Sequence, residues 1–125
     1  MIWLTVAVGG AVGSMARHGV NMVFSHVLER SVPYATAGVN LIGAAVIGLL
    51  AALLATGRLH MSNELRTFVF VGVLGGFTTF SSFMLDTFTL GHGGDHALAF
   101  WNVALQTAFG LIAVWAGYRV GLSVG

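Results

Sequence analysis

The chain has no cysteine and no lysine, a single proline, and only nine charged side chains among 125 residues: five arginines and four acids, for a formal charge of +1. Each shortage removes a class of function. Without cysteine there is no disulfide framework, no thiol nucleophile and no thiolate metal site, and nothing is learned about the redox compartment. With five scattered arginines there is no basic surface for nucleic acid. No nucleophile–base–acid set and no phosphate loop can be assembled, so the chain is not read as an enzyme. Five histidines include the pair in "HGGDH", but His92 and His96 flank a glycine loop without a helical frame and are read as solvated loop groups, not metal ligands.

What remains is apolar. The chain is 57% hydrophobic and 7% charged, with 18 glycines, and its mean hydropathy of +0.91 lies outside the range of soluble domains. A spanning helix takes about 20 apolar residues, and four fit, at about 2–28, 34–55, 65–90 and 97–120. The first lacks a basic leader and a clear small-residue cleavage site before Arg17, and is read as a span despite Arg17 and His18, not as a signal peptide. "ERSVP" makes the first turn, with Pro33 in the opening turn of the second helix, where its missing N–H costs nothing. "TGRLHMSNELR" is the polar linker to the third span, with "SNEL" as its cap, and "GHGGDH" is the linker to the fourth. No internal repeat or change of composition divides the chain, so residues 1–125 form one all-α integral membrane domain.

Arginines flanking the spans give a slight orientation bias. Arg58, Arg66 and Arg119 lie on one side, and Arg30, with Arg17 if it is shallow, on the other. A single orientation with the second loop inside fits this count, and so does insertion in both senses followed by antiparallel pairing. Gly9, Gly10, Gly13, Gly43 and Gly48 permit close helix approach in lipid, where small residues drive association. Four thin helices imply an oligomer.

The most informative stretch is "GVLGGFTTFSSFMLD", residues 72–86. Gly75-Gly76 followed by Thr78 and Thr79 is a poor helix interior. Irregular backbone at bilayer depth survives only when buried in protein or lining a wet path, so a break is expected here, with freed carbonyls and N–H groups that suit ions. Beyond it Phe80 and Phe83 share a face, with Ser81, Ser82 and Asp86 on adjoining faces. For the two phenylalanines taken alone, ordinary packing is the commoner role. The hydroxyls would then satisfy carbonyls of their own chain.

"GGFTTFSSF" in the third span, "NLIGAAVIG" in the second and an arginine in a glycine-rich first span resemble the Fluc (CrcB-type) family of small bacterial fluoride channels, whose pattern is GG-x-[ST]-T-F-S-T-F. The resemblance covers nearly the whole chain. It implies an antiparallel dual-topology homodimer with the third helix broken mid-membrane, two fluoride pores along the subunit interface and a structural sodium ion at the dimer centre. It also implies passive export of fluoride across the bacterial inner membrane. Phe80 and Phe83 match the family's Phe box, whose ring edges, positive by the phenyl quadrupole, face the anion. Asn40 matches the pore asparagine and Thr36 a threonine of the "GTLxxN" pattern. Thr79, Ser81 and Ser82 match the hydroxyl-rich stretch of the anion path. Gly75 and Thr78 match positions whose backbone carbonyls hold sodium, and Arg17 matches the vestibule arginine.

The departures are Met84 in place of a serine, Asp86 in place of a glutamate, and Gly110 where a fourth-span serine is often found. Gln106 and Asn102, at one-turn intervals before Gly110, share a face and can supply the missing donors, although helix–helix bonding is an equal role for Gln106. The rival reading is a proton-coupled exporter of the small multidrug-resistance type. It needs an acid in its first span, which holds Arg17 and none. A third reading, a non-transporting membrane scaffold, is separated from both by ion efflux from liposomes.

Overall fold

The computed structural model describes residues 1–27 and 32–124. The turn expected at "ERSVP" and the charge of Arg30 fall largely on residues 28–31, outside the described residues. The elements are α1 (Ile2–Val27), α2 (Val32–Ala55), α3 (Asn63–Arg66), a π-helical segment (Thr67–Leu74), α4 (Gly75–Phe77), α5 (Phe80–His92) and α6 (His96–Ser123). Among the described residues there is no strand.

Among the described residues, three stretches are long and apolar enough to cross a membrane: Pro33–Ala55, Asn63–His92 and His96–Ser123. α1 has 26 residues, about 39 Å at 1.5 Å per residue, but is not among those three. Arg17 and His18 sit in its middle. Large apolar side chains face outward all around the chain, among them Trp3, Met15, Leu85, Phe88, Leu111 and Trp115, the inside-out pattern of a protein whose solvent is lipid.

Local chemistry sets the ends. The Ser62 side chain accepts the Leu65 N–H at 3.1 Å and caps α3, the capping expected from "SNEL". At the α2–α3 linker Gly57 takes φ +74°, a left-handed conformation that glycine adopts without penalty. The next residue, Arg58, reaches across to donate from Nη1 to the carbonyls of Gly121 (3.0 Å) and Leu122 (2.8 Å), the last-turn carbonyls of α6 that have no intrahelical donor.

α3, the π segment and α4 run on as one rod, which packs along α1; α2 packs along α6. The rod meets α1 backbone to backbone. A Cβ on Gly9 would stand 2.9 Å from the Gly72 Cα, one on Gly76 would stand 2.7 Å from the Gly10 carbonyl oxygen, and one on Gly13 would strike the Val73 carbonyl. Gly48 and Gly117 make the equivalent contacts between α2 and α6. Gly10 itself is different: a Cβ there meets nothing. Small residues at such seams let helices approach closely enough for dispersion to hold them together in lipid.

The rod ends at Phe77. Thr78 (ψ 158°) and Thr79 (φ −148°, ψ 119°) are extended, and the helix restarts at Phe80. The chain changes partner at this break, because α5 packs on α6 and α2. The polar half of α1 is thereby left facing a cleft.

Candidate functional site

The polar groups of Thr78 and the N–H, carbonyl and hydroxyl of Thr79 are held by named contacts, apart from the Thr78 carbonyl. The Thr78 hydroxyl turns back to the Leu74 carbonyl (2.9 Å), beside the Thr78 N–H bond to the same oxygen (3.0 Å). Thr79 caps α5: its hydroxyl accepts the Ser82 N–H at 3.1 Å and lies 3.3 Å from the Ser81 hydroxyl. Asn40, from α2, grips the Thr79 peptide at both ends, accepting its N–H at 2.9 Å and donating to its carbonyl at 3.1 Å. The second proton of that amide goes to Gln106 Oε1 on α6, also at 3.1 Å.

Three hollows surround these residues. The first, of about 410 Å³, opens at the face of the break and is lined by Asn40, Gly43, Leu74, Gly75, Thr78, Thr79, Phe80 and Phe83. Gly75 is exposed there, and a Cβ on it would meet only the Phe70 carbonyl oxygen, at 3.7 Å. Phe80 stands 72% exposed, its ring centroid 6.1 Å from that of Phe83 with the planes at 89°, so the edge of one ring points at the face of the other.

The second hollow, also about 410 Å³, is the cleft beside α1, lined by Ser14, Arg17, His18, Asn21, Thr36, Thr79, Ser81 and Ser82. Its polar walls and guanidinium suit water and anions. The third, of about 390 Å³, is an apolar groove between α2, α6 and the end of α5 that contains Asn102 and Gln106. Thr79 lines the first two hollows, and the Asn40–Gln106 bond joins the first to the third.

The residues singled out from the sequence therefore fall into three groups that meet at Thr79. Asn40, Gly75, Thr78, Phe80 and Phe83 stand together on the open face; Arg17, Thr36, Ser81 and Ser82 line the polar cleft; Gln106 lies behind Asn40, buried. Ser14, His18 and Asn21 of the cleft were not singled out, although they lie within one turn or so of Arg17 on the same helix. Thr87 was also missed. It donates to the Phe83 carbonyl at 2.8 Å and accepts from Asn102 at 2.9 Å, and its spacing of four from Phe83 is the available signal. Asp86 is buried beside Thr36 with Oδ2 unpartnered. Gly110 faces open space. Among the described residues, no three His, Asp or Glu side chains converge on a common point.

A family model described as CrcB-like protein, Camphor Resistance (CrcB), matches residues 4–118. Among curated relatives, the fluoride-specific ion channel FluC of Paracoccus denitrificans is 47% identical over 120 residues, covering 95% of this chain and 93% of its own length. The protein of the same name from Allorhizobium ampelinum is 46% identical over 116 residues, with 93% and 92% covered. That from Paramagnetospirillum magneticum is 42% identical over 119 residues, with 94% and 93% covered. With likeness of this extent running through all the elements that build the break, the chain belongs to the CrcB-like family.

Proposed function

We propose that the protein is a passive, fluoride-selective channel of the bacterial inner membrane that lowers cytoplasmic fluoride. The observation that carries this reading is the joining, at one break in an apolar helix, of hydroxyls, amides and phenyl edges, in a chain whose relatives are named fluoride-specific ion channels. Such donors suit a small, strongly hydrated anion: they replace part of its hydration without a fixed charge that would trap it.

The working unit is an antiparallel dimer of four-span subunits. What supports it is the open hollow at the break, with Phe80 outward on a face that only lipid or a second copy can cover, and the slight arginine bias that permits insertion in both senses. Fluoride enters through the cleft of Arg17, Thr36, Ser81 and Ser82, passes Thr79, and runs along ring edges of Phe80 and Phe83, with Asn40 and Gln106 in the wall of its path. Gly75 and Thr78 line the open face, and two copies paired there would bring four of their backbone oxygens together without an acid to balance them. A hard monovalent cation fits such neutral oxygens, and sodium held there would supply the positive charge that uncompensated carbonyls in hydrocarbon demand.

The test is efflux from liposomes loaded with potassium fluoride or potassium chloride, read by ion-selective electrode. Fluoride is expected to leave rapidly and chloride to stay. Equal rates for the two ions, or none for either, would defeat the reading.

A further inference from the structure

We infer that Asn40 and Thr79 are positioning residues that hold the break open by capturing the two N–H groups a continuous helix would return to Gly75 and Thr78, and that Gln106, Asn102 and Thr87 set the orientation of Asn40. The significance for the released carbonyls rests on the proposed cation; the capture itself does not.

An α-helix sends each N–H to the carbonyl four residues back. Helix continued through residues 78 and 79 would direct the Thr79 N–H to the Gly75 oxygen and the Ser82 N–H to the Thr78 oxygen. Neither bond forms. The Thr79 N–H goes to Asn40 Oδ1 at 2.9 Å and the Ser82 N–H to Thr79 Oγ1 at 3.1 Å. Asn40 also returns a bond to the Thr79 carbonyl at 3.1 Å, so its carboxamide acts as a neighbouring peptide would, pairing donor with acceptor on both sides of one residue.

This arrangement works with only one of the two orientations of the amide. Rotated by half a turn, the Asn40 NH₂ would confront the Thr79 N–H and its oxygen would confront the Thr79 carbonyl. The same orientation is reinforced from a distance. The Thr87 hydroxyl gives its only proton to the Phe83 carbonyl at 2.8 Å and can therefore only accept from Asn102, which donates at 2.9 Å. Asn102 Oδ1 then accepts from Gln106 Nε2 at 3.0 Å, and Gln106 Oε1 accepts from Asn40 Nδ2 at 3.1 Å. Donors and acceptors follow in one direction over four side chains, each link matching the next. Both Asn40 protons are thereby engaged, and Asn40 acts on permeation by shaping the break.

The experiment uses the full chain, reconstituted in lipid with ¹⁵N-threonine, and reads hydrogen exchange and resonance position of the Thr79 amide, together with fluoride efflux. Asn40→Leu is expected to speed Thr79 exchange by roughly tenfold or more, and Asn102→Leu and Thr87→Val, which do not touch Thr79, by about threefold, each with slower efflux. Thr87→Ser, which keeps the hydroxyl, restores the wild-type resonance. Thr87→Val loses one hydroxyl with little change of shape and covers the case in which Asn102→Leu fails to fold. A Thr79 amide unmoved by Thr87→Val, or moved equally by Thr87→Ser, overturns the inference. Separately, a wild-type dimer that melts at the same temperature in sodium and in a bulky organic cation overturns the cation reading alone.

Discussion

The two sides of the break are built by different physics. Upstream, the rod of residues 63–77 is held by absence of side chains: Gly9, Gly13, Gly72 and Gly76 bring its backbone against that of α1, and no side-chain hydrogen bond crosses the seam among the described residues. Downstream, the first turns of α5 are held by side chains, through Asn40, the Thr79 cap, and the Asn102–Thr87 bond. A glycine seam is rigid and steric, and it fails abruptly when a carbon is added. A polar clasp is directional, and it loosens by degrees as bonds are removed. The ion path proposed above lies on the directional side.

The sharpest way to break that contrast is Gly13→Val, which drives a branched side chain into the Val73 carbonyl and the Phe77 N–H. Loss of folded protein is expected, with a destabilisation above about 4 kcal/mol, checked by monodispersity in detergent and by thermal unfolding. Asn40→Leu comes next. It leaves the Thr79 N–H and carbonyl unpaired beneath the surface, costing about 1–3 kcal/mol for each group, so fluoride efflux should fall more than roughly tenfold while the glycine seam survives, seen as helicity retained by circular dichroism.

Phe80→Ile and Phe83→Ile keep much of the volume and remove the ring edge. Aromatic edge effects of about 0.5–1.5 kcal/mol translate into efflux reduced up to roughly tenfold, with the proposed dimer intact by cross-linking. Unchanged efflux in both returns these rings to packing. Gly75→Ala sharpens the comparison further, since within one chain its Cβ meets only an atom at 3.7 Å. Its fold should be untouched, and a loss should register only as weaker dimerisation. Gly10→Ala is the smallest change: with nothing within 4 Å of the new carbon, stability should stay within about 0.5 kcal/mol of wild type, and a larger loss would show that the seam extends to this face.

Apolar length, the proline at the head of α2, the Ser62 cap and the placing of Gly75-Gly76-Phe77-Thr78-Thr79 are local properties, and local properties are legible in a sequence. The break at Thr78 and Thr79 is one of them, because two threonines after a glycine pair remove helix propensity and supply a cap in the same few residues. The π winding of Thr67–Leu74 carries no such mark: most of its residues are ordinary apolar ones, and the wider winding appears only in the folded rod, which lies against Gly9 and Gly13. Nor is there a local mark for the partner change that leaves Arg17 facing Ser81 and Ser82 across a cleft.

Asn40 shows where the division falls. The sequence offers Asn40 only through a family resemblance, yet an amide in an apolar helix must find partners or lose several kcal/mol. Which partners it finds depends on Thr79, 39 residues away, and on Gln106, 66 residues away. The sequence by itself determined that the chain is helical and apolar and that one helix breaks at a glycine–threonine run, because hydropathy and backbone preference act between neighbours. Only the tertiary structure decided that the break is clasped by an amide from another helix, because a hydrogen bond has a length and a direction that no spacing along the chain can specify.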